Sequence, residues 1–259
     1  MCGAPVVPGV YRGGVGYRES RPPDRLRGEV EAVWRADVTV AVSLDVLPDG
    51  CMDLVWTGSE LLVAGPDTGP HPAHRAPGAP SAGLRFAPGR LPALLAVPAA
   101  ALVDQRVPLA DLLPGVARRA TARLEQEADP VAVLDAVAAA LPGAPAEPGM
   151  RAAAARLGAG ASVAETAAGL GWSARSLHRR SLAAFGYGPA VLRRVLRFRR
   201  AALLLHDGVP IAEVAARAGY ADQPHLSREV RALAGVAPAQ LASGANRSTP
   251  LPSGSFTTA

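Results

Sequence analysis

The sequence predicts an α+β fold, a small, mainly β front half followed by an all-α back half, and three observations lead to it. The hydrophobic period changes along the chain, from short β-like runs before Pro108 to helical spacing after it. The net charge changes sign as well: residues 1–150 hold 13 arginines against 17 acidic residues, a net of −4, whereas residues 151–259 hold 14 against 5, a net of +9. Finally, an eleven-residue pattern in the basic half recurs 48 positions later.

A chain of 259 residues, 49% apolar and 19% charged, can build a packed core and is not a disordered tract. Its longest mostly apolar run, 91–103, is broken by Pro92 and Pro98 and is too short to span a bilayer. Residues 1–10 lack the basic start and apolar core of a secretory signal. Cys2 and Cys51 are too few for a disulfide framework or a four-thiolate zinc site. These readings predict a cytoplasmic protein without a membrane partner. All 27 basic residues are arginine, which GC-rich codon usage explains by itself. The distribution of charge, not arginine abundance, gives the back half an anionic partner.

Element by element, residues 1–23 are rich in Gly, Pro and Arg and are expected to be flexible. A β-rich domain follows over 24–107, where Val30, Val33 and Trp34 lead into apolar runs at 38–42, 44–47, 53–56 and 61–64. Pro48-Asp49-Gly50 and Thr57-Gly58-Ser59 are turn signals between them, and residues 65–82 read as a loop. Leu109, Leu112, Leu113, Val116, Ala120 and Leu124 then recur at threes and fours, and Asp129-Pro130 opens a second helix to Leu141. Residues 108–141 are thus the helical segment of the front domain. The Pro- and Gly-rich stretch 142–149 lies where the charge changes sign and is the expected linker. Residues 246–259 are Ser-, Thr-, Pro- and Gly-rich and are expected to be a disordered tail.

Between them, 150–245 carries the repeat. Ser162-Val163-Ala164-Glu165-Thr166-Ala167-Ala168-Gly169-Leu170-Gly171-Trp172 matches Pro210-Ile211-Ala212-Glu213-Val214-Ala215-Ala216-Arg217-Ala218-Gly219-Tyr220 in its apolar positions, Glu, small Ala, Gly and aromatic. Each copy reads as a helix-turn-helix. Ala167 or Ala215 allows a close crossing, Gly171 or Gly219 leaves the first helix, and Ser173 or Asp222 caps the second. Leu177 and Leu226 face inward. A long helix from Pro189 joins the copies, with Val191, Val195, Phe198, Ala202 and Leu205 as its apolar stripe. It would hold two recognition helices at a spacing suited to adjacent major grooves about 34 Å apart.

These residues resemble a known family. Ala164-Glu165, Gly171-Trp172-Ser173, Leu177-His178-Arg179-Arg180, Phe185-Gly186-Tyr187-Gly188-Pro189, Gly219-Tyr220-Ala221-Asp222-Gln223 and His225-Leu226-Ser227-Arg228-Glu229 are similar to the AraC/XylS-type DNA-binding module. The resemblance implies a transcription factor that binds double-stranded promoter DNA. Arg175, His178 and Arg179 of the first unit, with Gln223, His225 and Arg228 of the second, would face base edges. Ser173, Ser176, Arg180, Arg193, Arg194, Arg200 and Ser227 would meet the DNA backbone. Family members usually carry Phe where this chain has Ser181, Leu226 and Val230, which implies weaker packing beneath both recognition helices.

Looser likenesses at 46–55, 63–66, 83–89 and 104–109 resemble an uncharacterised cupin-like domain that precedes such modules, implying sensing or dimerisation. If Asp53 and Arg85 line the β interior, they are the candidates for contacts to an unknown small-molecule effector. His71 and His74 fit a solvated loop better than a metal site, and no catalytic residue, metal or cofactor is predicted. RNA polymerase and a second copy of the chain stay open as partners. The alternatives are a regulator whose front half has enzymatic or metal-dependent activity, and a helical interaction module without DNA binding.

Overall fold

The computed structural model describes residues 7–11, 15–78, 80–126, 128–144 and 147–243, so the expected tail lies outside the described residues. The front half contains β1 (Val7–Tyr11), β2 (Val15–Ser20), β3 (Val30–Val38), β4 (Val42–Val46), β5 (Met52–Trp56), β6 (Leu61–Ala64), β7 (His71–Arg75), β8 (Ser81–Phe86) and β9 (Arg106–Pro108). Seven strands form an antiparallel sheet in the order β1-β2-β3-β8-β5-β6-β9, and β4 pairs with β7 as a separate ribbon.

Three expectations are corrected. The segment 1–23, expected to be flexible, supplies two strands whose register pairs Glu19 with Trp34. The run 38–42 bends between β3 and β4 and is not one strand. The expected loop 65–82 contains β7 and the start of β8. His71-Pro72-Ala73-His74-Arg75 has no apolar alternation because β7 pairs only with β4 and covers no helical layer.

Strand periodicity splits the large sheet into two faces. Leu54, Val63, Leu84 and Phe86 are almost fully buried against α1 (Arg90–Leu95), α2 (Leu109–Leu112), α3 (Pro114–Glu125) and α4 (Pro130–Ala139). The intervening residues Asp53, Val55, Leu62 and Arg85 point to the other side, under the β4–β7 ribbon. Helix α1 was not evident in the sequence, since its Pro92 interrupts the helical pattern.

The back half runs α5 (Pro148–Gly158), α6 (Val163–Gly169), α7 (Ala174–Phe185), α8 (Pro189–His206), α9 (Ile211–Ala218), α10 (Gln223–Ala234) and α11 (Pro238–Ala242). Helix pairs α6–α7 and α9–α10 are the two helix-turn-helix units, and α8 joins them. One core gathers Met150, Leu157, Ala167, Leu177, Phe185 and Leu192; the other gathers Phe198, Leu205, Val214, Leu226, Val230 and Leu233. The buried stripe of α8 includes Leu192 and Ala201, while Val191 is 38% exposed, one position off the expected stripe.

Candidate nucleic-acid interface and effector cavity

Local chemistry fixes both recognition helices. Ser173 Oγ accepts the backbone N–H of Ser176 at 3.1 Å to start α7, and Asp222 Oδ1 accepts that of His225 at 2.6 Å to start α10. Gly171 and Gly219 take φ of +66° and +78° in the preceding turns, where a side chain would be strained. The first helix of copy one carries a full capping box between Ser162 and Glu165, whereas Pro210 gives α9 no side-chain cap.

Arg175, His178 and Arg179 are exposed on α7, and Gln223 and Arg228 are exposed on α10. His225 is drawn into its own turn: its Nδ1 accepts the Ala221 N–H at 3.4 Å and its ring meets Tyr220 edge-on at 5.2 Å. The residues expected at the DNA backbone divide. Arg180 lies over the Trp172 ring at 4.6 Å, pairs with Glu147 and donates to Ser176 Oγ. Arg193 donates to the Gly160 carbonyl at 3.2 Å, and Arg200 to that of Gly158. Arg194 donates to Glu229 on α10 at 2.8 Å. Arg193, Arg194 and Arg200 thus brace the module from within, whereas Arg180 is tied to the linker at Glu147. Ser227 is half-buried.

Asp53 and Arg85 meet as cross-strand neighbours, with Arg85 Nε 3.4 Å from Asp53 Oδ1. They line a cavity of about 430 Å³ between the sheet and the ribbon. Trp34 and Tyr17 also shape it, unmarked by any short motif, together with Asp49 of the Pro48-Asp49-Gly50 turn. Trp34 Nε1 donates to Asp53 Oδ2 at 2.8 Å, and the indole lies so close to Gly83 that a Cβ there would sit 2.3 Å from it. Only the strand alternation around Trp34 hinted that it faces the same side as Asp53. Burial lifts the Asp53 carboxyl to about 6; Arg85 opposes the shift and Asp49 adds to it.

The cavity adjoins a seam between the halves. Leu47 joins the core of the second copy, and a Cβ at Gly50 would touch Leu192 and Leu196 of α8. Arg199 of α8 pairs with Glu31 at 2.6 Å. Burial raises the Glu31 carboxyl, but the charge and hydrogen bond of Arg199 outweigh it and hold it below its usual range. Cys51 lies in the same seam, its thiol raised by burial and by Asp49 and Glu31. Behind α7, Gly186 with φ +83° fits against Val103, Pro66 and the Ala99 carbonyl, and Gly89 fits against Phe185. The linker is pinned too, since Gly143 N–H donates to the Leu94 carbonyl at 2.7 Å. No helix of the described residues is long and apolar enough to cross a membrane.

Residues 166–243 match a family described as a helix-turn-helix domain, and residues 18–108 match a domain of unknown function, DUF6597. No curated protein matches the chain. A probable AraC family transcriptional regulator from Rhodopseudomonas palustris is 21% identical, over 39% of this chain and 99% of that one, with a TM-score of 0.34. The C-terminal domain of AraT, a response regulator from Geobacillus stearothermophilus, is 25% identical over 43% of this chain and 93% of its own, with a TM-score of 0.36. ToxT from Vibrio cholerae is 10% identical over 82% of this chain and 96% of its own, with a TM-score of 0.45. The domain match supports a DNA-binding regulator of transcription.

Proposed function

We propose, from the premise that residues 166–243 are an AraC-type helix-turn-helix domain, that the chain reads two adjacent major grooves of promoter DNA. One observation carries this reading. Two capped recognition helices, each with exposed arginine, are held by a single 18-residue helix, α8, about 27 Å long. Arg175 and Arg179 on α7, with Gln223 and Arg228 on α10, are the proposed base readers. His178 stays with the first group. His225, already engaged in its turn, contributes less. Arg193, Arg194 and Arg200 hold the module in shape and leave phosphate contact to Ser173, Ser176, Ser227 and Arg180.

The front half is proposed to be the effector domain, with its cavity beside Asp53 and Arg85. Asp49 and Cys51 line the cavity and flank Gly50 on α8, so a guest that moves this turn changes what α8 rests on.

Selection from random duplex DNA with the full chain, at two salt concentrations, tests the DNA reading. The expected result is an enriched motif of two elements about one helical turn apart. A single-element motif would remove one of the readers. Salt-sensitive binding with no motif would reduce the module to a non-specific polycation.

A further inference from the structure

We infer that the front-domain turn Leu47-Pro48-Asp49-Gly50, which lies outside the helix-turn-helix domain, sets the interval at which the two recognition helices read DNA, with Leu47 as its main positioning residue. This deepens the two-groove reading and rests on it.

The two copies share α8 but not a core. Leu192 and Val195 of α8 belong to the core of copy one, with Leu196 packed against it, whereas Phe198, Ala201, Ala202 and Leu205 belong to that of copy two. Each core orients its own recognition helix. Along α8 one core gives way to the other within a single turn, from Val195 to Phe198. The angle between the copies therefore depends on how α8 bends there.

The front domain grips α8 at that junction. Gly50, at φ +84°, lies on the side of copy one, where a Cβ would sit 3.2 Å from Leu196 and 3.4 Å from Leu192. Three residues earlier, Leu47 is 4% exposed and packs in the core of copy two. Arg199, the next residue after Phe198, pairs with Glu31 at 2.6 Å and donates to Cys51 Sγ at 3.7 Å. One short turn thus touches both copies.

The turn is stiff enough to act as a spacer. Pro48 restricts its backbone, and Asp49 Oδ1 accepts the Cys51 N–H at 2.8 Å. Asp49 Oδ2 lies 3.4 Å from Arg85 Nε, and the same guanidinium also meets Glu19 and Asp53, so the turn is tied to the sheet. Each base-pair step turns a duplex by roughly 34° and advances it by about 3.4 Å. A small change in the angle between the copies therefore changes the interval that both can occupy. Leu47 bears on that interval, while the base contacts within each element lie on α7 and α10.

Binding titrations of the full chain test this with duplexes that carry the two selected elements, the interval between them lengthened or shortened by one base pair. The unaltered chain should lose at least about tenfold in affinity when the interval changes. Leu47→Ala should cut that penalty to about threefold or less and leave the sequence of each element as it was. A merely structural loss would lower affinity at every interval alike and keep the penalty. Val63→Ala, in the sheet core against α1 to α4, is the control for this and should keep the penalty in full. Leu47→Val shortens the side chain by one carbon and should give an intermediate penalty, so it carries the test if the alanine chain does not fold. A folded Leu47 variant with the full penalty, a Val63→Ala chain relaxed as far as Leu47→Ala, or an unaltered chain indifferent to the interval would each overturn the inference while leaving both readers in place. A selection that returns no two-element motif would instead overturn the two-groove reading, and the spacing role with it.

Discussion

The two helix-turn-helix copies share a sequence pattern and differ in what holds them. Copy one is held largely from outside: Phe185 and Gly186, at the end of its recognition helix, are seated on α1 and the residues around Ala99, and Arg180 reaches Glu147. Copy two is held mostly from within, where Arg194 and Arg197 of α8 share Glu229 and Arg197 lies 4.5 Å over Tyr220. A duplicated element can therefore keep its fold while its neighbours divide the work. The front domain touches both copies, copy one through the seat of Phe185 and Gly186 and copy two through Leu47.

The largest expected effect breaks the outer support. Phe185 is 1% exposed and packs in the first core and against Gly89, so Phe185→Ala should lower stability by about 3–5 kcal/mol in urea unfolding. A loss below about 1 kcal/mol would show that copy one does not depend on this seat.

Next come the two reading faces. Arg179→Ala should cost roughly 1–3 kcal/mol of specific DNA affinity in titrations while leaving stability nearly unchanged, since Arg179 is exposed. Arg228→Ala should do the same at the other half of the site. Arg194→Ala should instead destabilise copy two and leave the salt slope of binding unaltered, because its partner is Glu229.

Glu31→Gln tests the seam at α8. The pair with Arg199 is partly shielded, and its loss should cost about 1–2 kcal/mol at neutral pH. Glu31 is held below its usual range when folded. The stability it contributes is therefore present above the unfolded carboxylate pKa and is lost as pH falls through the folded one. Unfolding curves of the two proteins should converge in acid; a constant gap would rule out this ion pair as the cause.

The smallest effect concerns the core of copy one. Ser181 is fully buried and its hydroxyl has no hydrogen-bond partner. Ser181→Ala should raise stability by up to about 1 kcal/mol, measurable as a higher melting temperature. The equivalent gain is unavailable in copy two, where Leu226 and Val230 are apolar and fully buried.

Much of the back half was legible because its determinants are local. Ser173 and Asp222 as caps, Gly171 and Gly219 as turns, and Leu177 and Leu226 as inward residues each act within a few positions. The front half was less legible. β7 lacks an apolar face, β1 and β2 lie in a Gly-rich segment, and Pro92 masks α1, so pairing with distant partners decided these elements and left little local trace. The expectation that Arg193, Arg194 and Arg200 meet the DNA backbone came from the family resemblance together with their charge. Charge does not say whether an arginine will find a carboxylate or a carbonyl nearer than a phosphate.

The sequence by itself determined the α+β order, the duplicated reader and the pairing of Asp53 and Arg85 as residues of interest, because hydrophobic period, capping and turn chemistry are short-range. Only the tertiary structure decided that Trp34 would lie over Gly83 beside Asp53, that three carboxylates would share Arg85, and that Glu31 would meet Arg199 across 168 positions. Those contacts depend on which sheet faces and helix ends come together, and the burial that gives them their energy does not exist until they do.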